Sequence, residues 1–151
     1  MKVRRLLTLV LTLGLLLALS LPAQAADLTY EVSGGKLYFD AATGTITRAD
    51  ETVTEADIPA EIYGVPVTAI GDYAFNQRKE LVSVTIPSTV TTIGRQAFGA
   101  CSSLEQVILP DSVTSLGQGV FYGCSGLTDV TLSKNLTSIP RDTFAACSSL
   151  T

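Results

Sequence analysis

The sequence contains no histidine, so it lacks the side chain that most often serves as a general base or a metal ligand. It also contains no glycine-rich phosphate loop, no G-x-S-x-G nucleophile motif and no C-x-x-C pair. The dense acidic residues Asp50, Glu51, Glu55 and Asp57 do not have the regular spacing of an EF-hand calcium loop. We therefore predict a protein that is not an enzyme and that binds no cofactor and no metal.

Basic residues are scarce beyond the N-terminal stretch 1–25. The sequence holds 10 Lys and Arg against 14 Asp and Glu, and three of the basic residues (Lys2, Arg4 and Arg5) lie in that N-terminal stretch. The remainder therefore has 7 basic residues against 14 acidic ones, a net charge of −7. Binding to nucleic acid or to anionic lipid depends on clustered positive charge. We therefore predict that neither nucleic acid nor an anionic membrane surface is a partner.

The N-terminal stretch has the three parts of a secretory signal peptide. The basic residues precede an apolar run over 6–19, and Ala23 and Ala25 are the small residues expected before a cleavage site. A transmembrane anchor is the alternative, but the run has 14 residues, and a helix needs ~20 to span a bilayer. We predict that 1–25 is a cleaved signal peptide. The mature protein is then secreted or held at the cell surface, with no membrane insertion after cleavage.

A repeat of about 23 residues dominates the rest of the chain. Apolar residues recur in several columns at this one interval, and a period of ~20–29 rich in Leu and Ile is typical of a leucine-rich-repeat solenoid. The clearest columns are Ile93, Leu116 and Ile139; Phe98, Phe121 and Phe144; Cys101, Cys124 and Cys147; and Leu104, Leu127 and Leu150.

Each repeat predicts one coil with two short strands. The segment 104–109 has the L-x-x-L-x-L pattern, in which the apolar residues point inward, and a second segment rich in β-branched residues follows at 112–117. The remaining residues of the coil, 118–124, are too few for a normal helix. We predict that they form a single helical or 3₁₀ turn that buries Phe121.

The whole chain is thus predicted to be a β-rich leucine-rich-repeat solenoid of ~23-residue coils, preceded by a β-hairpin cap. The cap occupies 26–57, where Gly34-Gly35 is a hairpin signal. The repeats occupy 58–151 and number about four, with the last incomplete. The first repeat is longer than the others, and its extra residues around 63–66 predict a loop.

The three cysteines occupy one column of the repeat. Cysteines in a secreted protein raise the question of disulfides, but an odd number cannot pair completely. A small thiol at a fixed position in each coil suits a tight corner of the core. We predict three buried free thiols, and a disulfide between neighbouring coils is the alternative.

The stretch from Ile86 to Leu104 reads I-P-S-x-V-T-x-I-G-x-x-A-F-x-x-C-x-S-L and resembles the repeat of BspA-like leucine-rich-repeat proteins of bacterial cell surfaces. The resemblance covers 58–151. It implies a secreted or wall-attached protein, and in some members the binding of host matrix proteins or other bacteria. Because the sequence stops where another strand is expected, we expect a fragment of a longer protein. A naturally short protein that pairs end to end is the alternative.

The outward positions of the L-x-x-L-x-L strands form two columns, and these are the candidate ligand-binding residues. Stacked strands present a flat, rigid surface suited to extended ligands. We predict a binding module, acting in adhesion or another protein–protein interaction, that captures a protein or glycan. A solvated face without a partner and a structural spacer within a longer protein are the alternatives. The columns are Ser83, Gln106 and Asp129, and Thr85, Ile108 and Thr131.

Overall fold

The computed structural model describes residues 27–151, where the chain winds into a β-solenoid of short strands. The predicted signal peptide at 1–25 lies outside these residues. No helix is present within 27–151, and so none there is long and apolar enough to cross a membrane. In chain order the strands are β1 (Leu28–Val32), β2 (Gly35–Asp40), β3 (Thr45–Ala49), β4 (Glu55–Asp57), β5 (Glu61–Ile62), β6 (Val65–Pro66), β7 (Ala69–Ile70), β8 (Ser83–Thr85), β9 (Thr92–Ile93), β10 (Gln106–Ile108), β11 (Ser115–Leu116) and β12 (Asp129–Thr131).

A six-stranded sheet in the order β1-β2-β3-β7-β9-β11 forms the back of the solenoid. The strands β1, β2 and β3 are antiparallel, whereas β3, β7, β9 and β11 are parallel. Ile46 of β3 lies opposite Ile70 of β7, and Ile70 lies opposite Ile93 of β9. The N-terminal hairpin therefore continues the repeat sheet in the register that the coils use among themselves.

The front of the solenoid is built from the L-x-x-L-x-L strands, which form two separate pairs. Strand β4 pairs in parallel with β8, and β10 pairs in parallel with β12. No backbone pairing joins β8 to β10 in the part of the chain that the structure describes. Strand β4 lies within the predicted cap at 26–57 but pairs with a repeat strand, and the boundary at residue 57 stays a prediction.

The structure corrects the helical or 3₁₀ turn predicted between the back and front strands. After β9 the chain makes overlapping β-turns, in which the N–H groups of Ala97 and Gly99 donate to carbonyls three residues earlier. The alternate N–H groups of Gln96, Phe98 and Ala100 donate to carbonyls of the next coil. A helix directs its backbone donors along its own axis, whereas here half of them leave the coil.

Two positions in each turn segment have a left-handed backbone conformation. An L-residue pays about 1–2 kcal/mol to adopt it, and hydrogen bonds between coils offset that cost here. These residues let the chain alternate the direction of its N–H groups. The φ angles are 59° at Tyr73, 44° at Gln96, 65° at Gly119 and 60° at Asp142 in one column, and 61° at Gln77, 57° at Ala100, 73° at Gly123 and 60° at Ala146 in the other.

Four phenylalanines stack through the centre of the solenoid, one from each coil. The ring centroids of Phe75 and Phe98 lie 5.0 Å apart, and those of Phe98 and Phe121 lie 5.7 Å apart. Phe144 continues the stack at 5.8 Å from Phe121. The first three rings are fully buried, as predicted for Phe121, and Phe144 is half-buried. Burial of one such side chain contributes about 1.5–3 kcal/mol, so the stack is a main source of cohesion between coils.

The back sheet ends at β11 because residue 140 is proline. In the preceding coil the equivalent residue is Gly117, whose N–H donates to the Ile93 carbonyl over 2.8 Å. Proline has no N–H and carries a ring where the coils approach closely. Residues 138–139 consequently form no strand, and Ile139, whose equivalents in the earlier coils are buried, is 53% exposed.

The extra residues of the first coil form the short hairpin β5–β6, at the place where a loop was predicted. Ile62 lies opposite Val65, and the tip residues Tyr63 and Gly64 both have positive φ angles, 51° and 81°. Such a two-residue turn matches the twist of the flanking strands. The Tyr63 hydroxyl donates to the Thr29 carbonyl over 3.0 Å, so the hairpin contacts β1.

Candidate functional site

The outward-pointing side chains of β4, β8, β10 and β12 share one surface, which we call the front face. They alternate along each strand with inward-pointing residues of the core, as expected for a half-buried sheet. All six candidate residues lie there and are exposed, although their role in binding stays a prediction. The front face comprises Glu55, Asp57, Ser83, Thr85, Gln106, Ile108, Asp129 and Thr131.

Strand β4 contributes two acidic residues that were not among the candidates. Glu55 lies opposite Ser83, and Asp57 lies opposite Thr85. The chain between β4 and β8 is longer than the chain between later front strands, because it contains the β5–β6 hairpin. Both residues can be found from the sequence by aligning Ile58 of the first coil with its equivalents in the later coils.

A shallow groove of about 380 Å³ crosses the front face between β8 and β10. Ile108 lines it with 67% of its surface exposed, which is unusual for a large apolar residue in a repeat with a full core. Four of the six candidate residues line the groove, whereas Asp129 and Thr131 lie outside it on β12. The lining residues are Ser83, Val84, Thr85, Ile86, Gln106, Ile108 and Pro110.

The groove lies where hydrogen bonds between front strands are missing. In the pair β10–β12, the Leu109 N–H donates to the Thr131 carbonyl over 2.9 Å. One repeat earlier, the equivalent bond would join the Ile86 N–H to the Ile108 carbonyl, and it is not formed among the described residues. Both strands therefore present a free edge to the groove.

A second missing hydrogen bond lies at the other end of the same strands. The Thr128 N–H donates to the Glu105 carbonyl over 2.8 Å. The equivalent bond one repeat earlier, from the Glu105 N–H to the Val82 carbonyl, is absent within 27–151. The groove thus has backbone groups along its sides, the N–H groups of Ile86 and Glu105 and the carbonyls of Val82 and Ile108, that find no hydrogen-bond partner within residues 27–151.

The charge of the front face is entirely negative. Glu55, Asp57 and Asp129 are its charged residues, and no Lys or Arg occupies an outward position of its strands. None of these acids belongs to either ion pair found within residues 27–151. Glu55 accepts a hydrogen bond of 3.3 Å from the Ser33 hydroxyl, which leaves its charge unneutralised. The face consequently favours a cation over an anion.

Asp111, which follows β10, is by contrast engaged by the next coil. Its Oδ1 accepts a 3.1 Å hydrogen bond from the Lys134 N–H, and its Oδ2 lies 3.5 Å from Lys134 Nζ. The backbone hydrogen bond, with the nearby ammonium, lowers the pKa of Asp111. This carboxylate therefore has a structural partner that the front-face acids lack.

The cysteine column belongs to the core and not to the front face. Cys101, Cys124 and Cys147 are buried, as predicted, and each thiol donates to a phenylalanine carbonyl one coil earlier. Burial raises the pKa of the Cys147 thiol, so it stays protonated. In the first coil the same position is Arg78, whose Nε donates to the Ala49 carbonyl over 2.8 Å. Within 27–151 no group of three Cys, Asp or Glu side chains is placed to hold a metal ion.

The solenoid geometry and the recurring columns identify the family of this chain. Residues 54–151 match the model of a family described as "BspA type Leucine rich repeat region (6 copies)". The chain belongs to this family. The BspA-type assignment confirms the resemblance seen in the sequence, and it applies to the coils that carry the front face. No curated protein matches the chain.

Solved structures of two bacterial proteins are similar to this BspA-type chain. A leucine-rich repeat protein from Eubacterium ventriosum superposes with a TM-score of 0.69 at 24% identity, over 86% of this chain and 33% of that one, and shows the fold alone. A leucine rich cell surface protein from Faecalibacterium prausnitzii superposes with a TM-score of 0.60 at 31% identity, over 85% of this chain and 42% of that one. The chain spans less than half the length of either.

Proposed function

We propose that this chain is an extracellular or cell-surface binding module, without enzymatic activity, that captures a protein or glycan on its front face. The groove between β8 and β10 is the observation that carries the proposal. The other repeated columns are explained by packing, since the Phe, Cys and Leu columns are mostly buried. The front face has exposed groups and free strand edges that no part of the fold uses.

The central residue of the proposed site is Ile108. Its neighbours in the same row of the face are polar, namely Thr85 on β8 and Thr131 on β12. Exposing an isoleucine to water brings no gain to the fold. Protein interfaces are commonly built as an apolar centre within a polar rim, and Ser83 and Gln106 supply polar groups beside Ile108.

The proposed location rests on three observations. Residues 1–25 have the sequence pattern of a secretory signal peptide. The family is that of BspA-type repeats, and a similar solved structure is of a leucine rich cell surface protein. Adhesion, to a host protein or to another cell, is the role that we propose for a binding face in that location.

Lysine substitutions on the front face test the proposal. Gln106→Lys, Ile108→Lys and Thr131→Lys together place three cations beside the groove. A matched control carries Thr92→Lys, Ser115→Lys and Ser138→Lys, which are exposed positions on the back of the solenoid. Each protein is applied to peptide and glycan arrays, and its Tm is measured. The proposal requires that the front variant loses the ligands bound by the wild-type protein while the control keeps them, with similar Tm values.

A structural spacer within a longer protein is the second candidate function. It is favoured by one observation, that the chain spans 33% and 42% of the two similar solved structures. A spacer requires no ligand on the front face. Arrays on which the wild-type protein binds nothing, or binds equally after the front substitutions, would favour this second function.

A further inference from the structure

We propose that the front face selects an extended cationic peptide segment of a partner protein, in which an apolar side chain lies between two basic residues. This inference rests on the proposed binding function and adds the chemistry of the ligand. Three features of the face support it in turn: the positions of its acids, the apolar part of the groove and the free backbone groups along the groove.

The acids of the front face lie on both sides of the groove. Glu55 and Asp57 are on β4, next to β8, and Asp129 is on β12, next to β10. Paired strands lie about 4.8 Å apart, so Asp57 and Asp129, which are separated by two paired spacings and the unpaired gap between β8 and β10, are at least about 14 Å apart. An extended peptide advances about 3.3 Å per residue. Basic residues four or five positions apart can therefore reach both sides when the peptide crosses the strands.

The groove between these acids offers an apolar contact at the midpoint. Ile108 lines it together with Val84, Ile86 and Pro110. When the two basic residues contact Asp57 and Asp129, the ligand runs diagonally over the face, and an apolar side chain between them passes beside Ile108. A ligand with a charge at its centre would instead bring that charge against Ile108 and lose hydration without a partner.

The free strand edges favour a peptide over a glycan as the ligand. The carbonyls of Val82 and Ile108 have no donor among the described residues, and the N–H groups of Ile86 and Glu105 have no acceptor. A peptide that crosses the groove brings both backbone donors and backbone acceptors within reach of these groups. Its ammonium or guanidinium groups add donors that match the carbonyls and the carboxylates alike.

Selection from a random heptapeptide phage library on the purified secreted protein tests the inference. We expect enriched sequences with two basic residues flanking an apolar one. A synthetic peptide with the enriched sequence is then titrated against three proteins. The first is the wild type, the second carries Glu55→Gln, Asp57→Asn and Asp129→Asn, and the third carries Asp27→Asn, Glu51→Gln and Glu61→Gln. The third protein has the same change of net charge at exposed acids off the front face.

The front-face variant is expected to bind about tenfold more weakly than the wild type, with a flatter dependence of Kd on salt, because exposed charges act through screened attraction. The control variant is expected to stay within about twofold. A second measurement uses Ile108→Lys, which is expected to abolish binding of the same peptide.

Each alternative outcome distinguishes the ligand chemistry from the binding function. If the enriched peptides are neutral or acidic and Ile108→Lys abolishes their binding, the cationic inference is wrong and the front face remains a binding site. Failure to enrich any peptide, with glycan binding that Ile108→Lys abolishes, overturns the peptide inference in the same way. If a ligand of any kind still binds after both Ile108→Lys and the acid substitutions, the proposed function is wrong as well.

Discussion

The thiol of Cys124 donates a hydrogen bond to the backbone carbonyl of Phe98, which lies 2.9 Å away in the preceding coil. Cys101 makes the same contact with Phe75, and Cys147 makes it with Phe121. The cysteine column therefore serves to join coils, because each thiol gives a second hydrogen bond to a carbonyl that also accepts the N–H three residues later in its own coil.

The buried thiols are expected to resist modification in the folded protein. Reactivity requires an accessible thiolate, and these side chains are enclosed and donate their protons to carbonyls. A thiol-reactive chromogenic disulfide at pH 8 should detect almost no thiol in the native protein. After unfolding without reductant, it should detect all three. A smaller number after unfolding would show a disulfide and contradict the predicted free thiols.

Stability is expected to fall with alkaline pH partly through Cys147. Burial raises the pKa of this thiol above its usual 9.0, so the unfolded chain releases the proton at a lower pH than the folded one. Its contribution is complete below pH 9.0 and is lost as pH rises through the range between the two values. Tm should decline more steeply above pH 9.0 for the wild type than for Cys147→Ser. Equal slopes for both proteins would exclude this linkage.

The loss of stability on truncating a phenylalanine of the stack is expected to depend on how deeply that ring is buried. Phe98 is fully buried between two other rings, so Phe98→Ala should lower the free energy of unfolding by about 3–5 kcal/mol. Phe144 is half-buried and has one ring neighbour, so Phe144→Ala should cost less than half of that. Urea unfolding measures both, and comparable losses would show that the stack does not set cohesion between coils.

Two glycines of the third coil are expected to respond differently to alanine. A Cβ on Gly117 would collide with the backbone of Gly94 and Arg95, so Gly117→Ala should destabilise by several kcal/mol. A Cβ on Gly123 would meet nothing closer than 3.7 Å, and Ala100 and Ala146 adopt its left-handed conformation one coil away. Gly123→Ala should therefore cost about 1 kcal/mol or less. Thermal unfolding of the two variants gives the comparison, and similar losses would contradict it.

Replacing Pro140 by glycine is expected to extend the back sheet by one strand. Pro140→Gly restores an N–H that can donate to the Leu116 carbonyl, as Gly117 donates to Ile93. Residues 138–139 should then pair with β11. Amide hydrogen exchange at 138–140 should slow, and Ile139 should become less exposed. Exchange as fast as in the wild type would show that another feature of the fourth coil ends the sheet.

The repeated columns made most of the fold predictable from sequence. Buried positions such as Leu104, Val107 and Leu109 follow from the strand pattern, because alternation along a strand is a local property. The turn segments were mispredicted because their left-handed residues include Tyr73 and Gln96, which carry no glycine signal. A short apolar stretch there is equally compatible with a helical turn.

The candidate site was only partly predictable for a different reason. Outward positions such as Gln106 and Ile108 follow from the same alternation. The groove does not, since Ile86 and Ile108 fit the repeat as well as residues whose strands do pair. Whether two coils form a hydrogen bond depends on how closely their backbones approach, and the sequence of one repeat does not determine that distance.

The alternating direction of the N–H groups in the turn segments also affects how repeat proteins can gain or lose coils during evolution. Each coil donates from fixed positions to the next and receives from the previous one at equivalent positions, as Phe75 with Ala97 and Phe98 with Val120 show. One whole repeat can thus be duplicated or lost in the gene without leaving its neighbours unmatched, whereas extra residues of another number must leave the coil, as the β5–β6 hairpin does. Recombination between repeats is then a low-cost route to longer or shorter binding faces.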